Sequence, residues 1–528
     1  MKIRQARVQA RPESQKAKTQ QTYSWPAPTM GWVANANLAV SQPGAAYHIE
    51  NFFPTATGLL LRRGSQTFKE IDGAVRSMFS YTSGSFKRFF AATDSDIYDI
   101  TLTETSVLSD QTGGKWVVAQ AESSDDGAIY LRGVNGDDTP WVYDGSSFSD
   151  EPALTFPEDE TVSPEDLSHV WTFKERFFFI EKETMNAWYL PVGQIGGELA
   201  KFSLGGLFKL GGYLVMGATW SRDTGSGMNA MCVFFSSEGE AAVYQGDNPA
   251  SADSWQLVGV FRTGRPLGPN TTIDAGGDIV VATDVGFVPL STALQTDFAI
   301  LGNAALSENI VDAWRDEAFS RSGLEWNVAF WSRMQMVIVA LPPLPGEVPV
   351  WWVVNARTRA WAPFKGWGAT CLHIYDDRCF FGTEDGEIIE ANVSGTDNGD
   401  AYTGVCVPMF DQMGVVGHKN VSMLRAVVRS PFPVRERLSV QSDYTLNIPP
   451  PPDAPAVDAG DVWGSAVWGS AQWGEPREGK NVYQIWRSAF GDGEVHAPCI
   501  QITSGDLTPL DAELVRIDAT FTSGEVVV

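Results

Sequence analysis

The sequence predicts a mainly β protein, organised as a β-propeller of about six to eight blades with an N-terminal arm and a C-terminal β domain. The composition is rich in turn formers and aromatic residues, with 51 Gly, 30 Pro and 19 Trp among 528 residues. Short runs of alternating apolar residues recur between Gly, Asp, Ser and Asn turns, as in meandering antiparallel strands. These runs group into modules spaced by about 40–60 residues, which is the period of propeller blades.

Residues 1–21 are predicted to form a basic N-terminal arm. Six basic residues stand in it against the single acid Glu13, namely Lys2, Arg4, Arg7, Arg11, Lys16 and Lys18. A polar segment of this composition is typical of chain that becomes ordered on binding, here on an acidic subunit or adaptor. Arg4, Arg7, Arg11, Lys16 and Lys18 are therefore candidate interface residues. A solvated tail is the alternative.

Residues 22–70 are predicted to be an irregular, aromatic entry segment, since TYSWPAPTMGW and YHIENFFPTATGLLLRRG show no sustained alternation.

The propeller is predicted over residues 71–399, in modules that begin near residues 75, 115, 169, 231, 271, 325 and 370. The clearest module is residues 325–364, where EWNVAFW, MQMVIVAL, VPVWWVVN and AWAPF are interpreted as four antiparallel strands. The module at residues 370–392 contains a two-residue turn at Asp376 and Asp377, which places Cys371 opposite Gly382 and Cys379 opposite Ile374. A stacked array of β-sandwiches would also give short strands and turns, and it stays open as an alternative.

A helical insertion is predicted near residues 306–320, in LSENIVDAWRDEAFSRSG. Ser307 is the candidate N-cap and Gly323 the stop signal. The apolar face expected at helical spacing consists of Ile310, Val311, Trp314 and Ala318.

Residues 400–528 are predicted to form a C-terminal β domain, with strand-like runs in VSMLRAVVRS and RLSVQSDY, a Pro-rich loop in NIPPPPDAPAVDAG and a repeated Trp-Gly step. Trp463, Trp468 and Trp473 recur every five residues, and each precedes a Gly. Neither a strand nor a helix presents all three indoles on one face, whereas repeated tight turns do. The three Trp are candidate interface residues. Alternatively, they fill the core of the C-terminal domain itself.

Charge and apolar content exclude several classes of function. The formal net charge of −26 argues against tight wrapping of nucleic acid by the bulk surface. The longest apolar run, near residues 336–341, ends at Pro342 and is far shorter than the about 20 residues of a membrane helix, so no membrane span is predicted. The five cysteines are scattered, and we expect reduced, buried thiols.

No catalytic, cofactor or metal site is predicted, and the chain is not expected to be an enzyme. Its five His residues form no metal-ligand spacing, and the nucleophile elbow and phosphate loop are absent. Asp397, Asn398 and Asp400 could hold Ca²⁺, but the loop lacks the terminal Glu and an Asx-turn loop is expected. Several acids lie in predicted turns, and we expect them to stabilise those turns. The alternative is that they supply the paired carboxylates of a propeller glycosidase. These acids are Asp94, Asp96, Asp125, Asp126, Asp376, Asp377, Glu384 and Asp385.

Three stretches together resemble the tail nozzle family of short-tailed bacteriophages, the tail tubular protein B-like proteins. They are NFFPTATGLLLRRGSQTF (51–68), FRTGRPLGPNTTIDAGGDIVVATDVGFVPLST (261–292), and WWVVNARTRAWAPFKGW with CFFGTEDGEIIEANVSGTDNG (351–399). The resemblance is piecewise and spans about two thirds of the chain.

The resemblance implies a structural virion protein, made in the host cytoplasm and located in the tail. It implies a homo-oligomer, a hexameric ring below the portal and the tail adaptor or connector, that also holds tail fibres or spikes. Double-stranded DNA would pass through the lumen without specific binding, and an acidic wall would repel it. The alternatives are a propeller glycosidase or lyase acting on host surface polysaccharide, and the upstream stopper or connector of the same tail.

Overall fold

The computed structural model describes residues 20–34, 42–223, 228–454 and 480–523. The protein is mainly β, as predicted, with 51% strand and 6% helix. Among the described residues, no helix has the length and apolar character needed to cross a membrane.

The N-terminal region contributes six strands: β1 (Gln21–Pro26), β2 (Gly31–Trp32), β3 (Ala45–Glu50), β4 (Phe52–Pro54), β5 (Leu59–Leu61) and β6 (Gly64–Glu70). The expectation of an irregular segment over residues 22–70 is therefore corrected. These strands pair mostly with strands far along the chain, so the local sequence carries no hairpin signal. β4 and β5 are the one antiparallel pair formed among them.

Seven sheets follow, which we number 1 to 7 in chain order. Sheet 1 contains β7 (Ser77–Ser83), β8 (Phe86–Ala92), β9 (Ile97–Asp99) and β10 (Thr105–Leu108). Sheet 2 contains β11 (Val117–Glu122), β12 (Ile129–Val134), β13 (Trp141–Tyr143) and β14 (Phe148–Ser149). Sheet 3 contains β16 (Leu167–Phe173), β17 (Arg176–Glu181), β18 (Asn186–Tyr189) and β20 (Ala200–Ser203). Beside it, β15 (Leu154–Thr155) and β19 (Gly197–Glu198) form a short parallel pair.

Sheet 4 contains β21 (Leu214–Asp223), β22 (Met228–Ser236), β23 (Glu240–Gly246) and β24 (Trp255–Arg262). Sheet 5 has three strands, β25 (Thr272–Asp274), β26 (Ile279–Thr283) and β27 (Gly286–Pro289). Sheet 6 contains β28 (Asn327–Trp331), β29 (Met336–Ala340), β30 (Val350–Asn355) and β31 (Trp361–Lys365). Sheet 7 contains β32 (Cys371–Tyr375), β33 (Arg378–Gly382) and β34 (Glu387–Ser394), and β6 is its fourth strand.

The strands predicted in the last two modules are confirmed, including their register. Cys371 lies opposite Gly382, and Ile374 lies opposite Cys379. All five cysteines are buried and unpaired, also as expected.

The sequence did not reveal β10, β14, β20 or β21, of which the first three have four residues or fewer. It also did not reveal that the outer strand of sheet 7 comes from the N-terminal region.

In the described ranges, α-helices occur only in the segment between sheets 5 and 6, and the remaining helical residues form short 3-10 turns. They are α1 (Leu290–Ala293), α2 (Leu301–Ala304) and α3 (Val311–Ser320), with 3-10 turns at Pro164–Asp166, Phe298–Ile300, Glu308–Ile310 and Ser332–Met334. The predicted apolar face is confirmed, since Ile310, Val311, Trp314 and Ala318 are all buried. Ser307 does not cap α3 with its side chain, and this prediction is corrected: its buried Oγ accepts the Phe287 N–H at 2.9 Å.

The C-terminal region contributes β35 (Tyr402–Pro408), β36 (Lys419–Ser430), β37 (Glu436–Ser442), β38 (Asn481–Gly493), β39 (His496–Ser504) and β40 (Glu513–Ser523). With β1–β5 these strands form what we call the terminal unit. One of its sheets has the order β38-β36-β40-β5-β4, with β1 also paired to β40. Its other strands extend sheet 6 in the order β31-β2-β3-β35-β39-β37. The C-terminal strands are therefore interleaved with N-terminal strands and continuous with sheet 6.

Apolar clusters fill the spaces between consecutive sheets, because most strands bury both faces. In β17, for example, Phe177 and Phe179 face sheet 2, while Phe178 and Ile180 face sheet 4. This accounts for the continuous apolar run FFFI at residues 177–180. Residues that represent the clusters are Phe79 and Trp141 (sheets 1 and 2), Val142 and Phe179 (2 and 3), Phe178 and Phe234 (3 and 4), Trp220 and Val281 (4 and 5), Phe287 and Trp352 (5 and 6), and Trp351 and Phe381 (6 and 7).

A further cluster joins sheet 7 to sheet 1. Phe89 of sheet 1 packs against Tyr375 and Phe380 of sheet 7, with ring centroids 4.7 and 5.0 Å apart. Met78 and Cys371 belong to the same cluster. The series of contacts between sheets therefore returns to the sheet where it began.

Candidate functional site

A cavity of about 1430 Å³ lies where the first strands of all seven sheets begin. Each sheet contributes the start of its first strand and the turn between its second and third strands. The first group includes Ser77, Val117, Ser168, Leu214, Asn270, Asn327 and Thr370. The second group includes Asp94, Asp137, Lys182, Ser237, Asp284, Pro342 and Glu384. All seven sheets thus present their polar turns to one common space.

Ion pairs connect neighbouring sheets around this cavity. Arg76 of sheet 1 pairs with Asp94 at 3.1 Å and with Glu384 of sheet 7 at 3.0 Å. Lys182 of sheet 3 pairs with Asp137 of sheet 2 at 2.7 Å. These side chains are largely solvent-exposed, so each pair contributes modestly to stability.

One ion pair joins two sheets that are not neighbours. The Lys115 Nζ, just before sheet 2, lies 2.6 Å from Oε2 of Glu325, just before sheet 6. Both residues line the cavity. Sheets 2 and 6 are three steps apart by the shorter route through sheets 7 and 1, so this pair spans the cavity.

Asp284 is an acid of the cavity lining whose carboxyl has a raised pKa. Burial raises its pKa, although the Arg265 N–H donates to its Oδ1 at 2.9 Å. A raised carboxyl pKa is a property that general acids share, and it also arises in purely structural positions.

Helix α3 ends at the cavity mouth. Arg321 directly follows the helix and is 4% exposed, and its Nε donates to the Pro342 carbonyl at 2.9 Å. It also pairs with Glu317 and Glu347. These bonds tie the end of the helix to sheet 6 and leave the neighbouring Phe319 side chain 85% exposed at the mouth.

A second cluster, which we call the Arg62 hub, lies between the terminal unit and sheets 6 and 7. The Arg62 side chain is fully buried and pairs with both carboxylate oxygens of Asp397, at 2.9 and 2.6 Å. It also donates to Asn51 Oδ1 and to the Lys365 carbonyl, each at 2.9 Å. The guanidinium carbon lies 4.3 Å from the ring centroid of Trp367 and 4.2 Å from that of Tyr402.

The hub accounts for the loop that contains Asp397, Asn398 and Asp400, for which Ca²⁺ binding was the alternative to an Asx-turn. Asp397 accepts bonds from Arg62 and from the Trp367 indole N–H, the latter at 2.8 Å. The Asn398 side chain accepts the Thr67 N–H at 3.1 Å. Within the described ranges, no group of three or more His, Cys, Asp or Glu side chains is arranged to hold a metal ion.

Several of the predicted turn acids do stabilise turns or pair with nearby bases. Asp126 accepts the Ala128 N–H at 3.0 Å and the Tyr130 hydroxyl at 2.8 Å. Asp376 pairs with Lys87 at 2.6 Å. Asp94 and Glu384 instead meet at Arg76. Arg76 and Lys115 were not predicted from the sequence. Each is a basic residue just before the first strand of its module, and this shared position is the signal that could have identified them.

The predicted interface residues lie outside the described residues. These are Arg4, Arg7, Arg11, Lys16 and Lys18 of the arm, and Trp463, Trp468 and Trp473 of the Trp-Gly repeat.

Comparisons with known proteins give only distant likenesses. No protein-family model and no curated protein matches the chain. The computationally designed Ika8 protein is 10% identical, over 69% of this chain and 99% of that one, with a TM-score of 0.36. YCF48 bound to D1 peptide is 11% identical, over 67% of this chain and 99% of that one, with a TM-score of 0.34. BBS1N in complex with ARL6DN is 11% identical, over 43% and 71%, with a TM-score of 0.29. Scores this low carry no inference about function.

Proposed function

We propose that this chain is the nozzle subunit of a short bacteriophage tail, a structural virion protein in which a seven-bladed β-propeller is fixed to a second β unit. The observation that carries the proposal is the Arg62 hub. A subunit of a DNA-ejection channel must keep its shape under force, and the hub joins the terminal unit to sheets 6 and 7 through a buried, bidentate ion pair. The resemblance of three sequence stretches to the tail nozzle family adds to this support.

The propeller is proposed from the order of contacts between the sheets. Each of the seven sheets packs on the next, and Phe89 brings sheet 1 against Tyr375 and Phe380 of sheet 7. β6 completes sheet 7 from the N-terminal side, so the two ends of the series are held in one sheet. Such a closure would protect the ring from opening. A gap between sheets 7 and 1 in an electron microscopy reconstruction of the chain would contradict it.

The DNA path, in this proposal, lies between subunits rather than along the axis of the seven sheets. The Lys115–Glu325 pair spans the central cavity, and a duplex is far wider than the space that two paired side chains leave. The lumen would therefore be enclosed by several copies. With a net charge of −26 on each copy, its wall would repel DNA and limit sticking.

The partners in this proposal are further copies of the chain, which form a closed ring of six. The tail adaptor or connector and the tail fibres or spikes complete the assembly. The basic arm and the three Trp of the Trp-Gly repeat are the proposed contact segments. Replacing Trp463, Trp468 and Trp473 with Ala should leave a folded chain that fails to form rings or to recruit its partner, whereas global unfolding would assign the three indoles to the core.

Electron microscopy of the purified full-length chain tests the proposal, alone and with its adaptor. We expect a closed, six-fold, tapered ring. A chain that stays monomeric at high concentration, even with the adaptor, would overturn the nozzle assignment. A ring located above the adaptor rather than below it would favour the upstream stopper instead.

Asp284 is the one observation that favours a second candidate, a glycosidase or lyase acting on host surface polysaccharide. Its raised pKa suits a general acid in a polar cavity. In that case the wild-type chain would depolymerise capsular polysaccharide, Asp284→Asn would abolish the activity, and Asp385→Asn, outside the cavity lining, would not. Absence of turnover by the wild-type chain would remove this candidate.

A further inference from the structure

Strand β38 forms an open edge of the terminal unit. It pairs with β36 over its whole length, from Asn481 opposite Ser430 to Gly493 opposite Lys419. On its other side, no strand of the described residues pairs with it. Arg487, in its second half, pairs with Glu436 of β37 at 2.6 Å. Along its first half, the outer backbone N–H and C=O groups have no strand partner among the described residues, as at a free sheet edge.

The exposed side chains of β38 are apolar where edge strands usually carry charge. Val482 is 55% exposed, Ile485 57% and Phe490 78%. The six residues from Asn481 to Trp486 include no charged side chain. Natural proteins commonly protect a free edge with Lys, Pro or an inward-pointing charge, and this half of β38 has none of these devices.

Strand β24 is a second open edge of the same kind. It is the outer strand of sheet 4, and Leu257 and Val258 are 42% and 46% exposed. The stretch from Trp255 to Phe261 includes no charged residue. A bulge at Val258 bends the strand but leaves Gly259 opposite Val243 and Leu257 opposite Tyr244.

The other outer strands are protected, covered or short. β37 contains Glu436 and Arg437, and β4 has three residues. β6 ends in Lys69 and Glu70, and β20 contains Lys201. α1 and α2 pack on β27, and β10 and β14 have four and two residues. β1 ends in Pro26 and exposes no large apolar side chain. Among the described outer strands, β24 and β38 thus stand out as long strands with an uncharged stretch, at residues 255–261 and 481–486, and with exposed apolar side chains.

We infer that β38 of one copy pairs with β24 of a second copy, so that the sheet of the terminal unit continues into sheet 4 of its neighbour. Main-chain hydrogen bonds would give affinity, and the exposed apolar side chains would be covered. Copies that each carry a charge of −26 repel one another at long range, so short-range strand pairing is a suitable driving force. Because the two edges differ, the contact is head-to-tail and can close a ring. The inference rests on the proposed function for the ring itself.

Two charge variants and a matched control test the pairing in the full-length chain. Ile485→Lys places a charge on the β38 edge, and Leu257→Lys places one on the β24 edge. Leu102→Lys is the control, since Leu102 is 76% exposed and lies outside both strands. By sedimentation velocity, we expect each edge variant to assemble at least about tenfold more weakly than the wild type, and the control to assemble normally.

Mixing the two edge variants separates head-to-tail from symmetric pairing. Each variant retains one intact edge, so the mixture should form a one-to-one dimer and no larger species. If Leu257→Lys assembles normally while Ile485→Lys does not, β38 pairs with another β38 and the inference is wrong. If wild type forms rings and neither variant affects them, the inference fails and the nozzle assignment stands. A wild-type chain that never assembles overturns both.

Cysteine cross-linking provides a readout that does not depend on weakened assembly. All five native cysteines are buried, and burial raises the pKa of the Cys499 thiol to about 11, so introduced surface thiols react first. Gln484→Cys mixed with Gln256→Cys should give a disulfide-linked dimer, and neither variant alone should do so. A cross-link formed by Gln484→Cys alone would contradict head-to-tail pairing.

Discussion

At the scale of single residues, Arg62 shows how a stretch that is unremarkable in sequence becomes central in the fold. In LLLRRG nothing distinguishes Arg62 from Arg63, yet the Arg62 side chain is fully buried and Arg63 is 45% exposed. The partner of Arg62, Asp397, lies 335 positions along the chain. Sequence analysis could propose Asp397 for a turn, but the pairing depends on a contact between regions that no local pattern links.

Arg62 and Arg63 offer a matched pair of substitutions. Arg62→Met should lower the free energy of unfolding by about 3–5 kcal/mol, because it leaves the Asp397 carboxylate nearly buried without its partner. Arg63→Met removes only an exposed pair with Asp511 and should cost less than about 1 kcal/mol. Denaturant titration measures both values, and equal losses would contradict the central role of the hub.

Stability should also depend on pH through His169, which is 6% exposed. Burial lowers the pKa of this imidazole to about 4, from an ordinary value of 6.5. Between those values the unfolded chain binds the proton and the folded chain does not, so stability falls as pH falls from about 6.5 to about 4. At pH 5 the loss from this group is about 2 kcal/mol.

The His169→Gln variant should lose less stability than the wild type between pH 7.5 and pH 5. Comparison of the unfolding free energies of both chains at the two pH values measures the effect. If the difference in unfolding free energy between the wild type and the variant is the same at both pH values, His169 is not held neutral in the folded chain.

At the scale of elements, the strands that could be predicted are those whose partners are adjacent in sequence. The hairpins of sheets 6 and 7 were recognisable from alternation and two-residue turns, down to the register at Cys371. β1 and β6 were not recognisable. β1 pairs with β40 at the other end of the chain, and β6 pairs with β34, about 320 positions away. The cavity was likewise not predicted, since its residues come from seven sheets and meet only when these pack together.

Strand β6 can be tested by substitution at Gln66, which is exposed and lies opposite Glu390 of β34. Gln66→Pro removes a backbone N–H and fixes φ, so it should destabilise the pairing by about 1 kcal/mol or more, the order of one backbone hydrogen bond. Gln66→Ala changes only an exposed side chain and should have little effect. Thermal unfolding compares the two, and equal melting temperatures would show that β6 is dispensable for sheet 7.

At the scale of the whole molecule, the composition predicted the mainly β class, and the modular spacing predicted where most of the sheets lie along the chain. Neither could predict how the ends of the chain combine into the terminal unit, since that arrangement depends on long-range pairing and on the large apolar cluster shared with sheets 6 and 7. The net charge of −26 is a property of the whole surface, and it makes any basic segment a natural contact for another copy.

Deletion of residues 1–20 should therefore weaken assembly, and the loss should be greatest at low salt, because the arm carries six basic residues and one acid. Sedimentation of the full-length and shortened chains at several salt concentrations measures this. Assembly that is unchanged at every ionic strength would identify the arm as a solvated tail.

The pairing of β6 with β34 also has a consequence for the newly made chain. Thr67 and Glu387, which are hydrogen-bonded across these two strands, are 320 positions apart. At a synthesis rate of about 5–20 residues per second, the ribosome needs roughly 16 to 64 seconds to produce the second strand after the first. During that interval the N-terminal strands, including the apolar Leu59–Leu61, lack most of their partners. Nascent chains are therefore expected to need protection by a chaperone until the last sheet emerges, and slower translation should increase aggregation rather than reduce it.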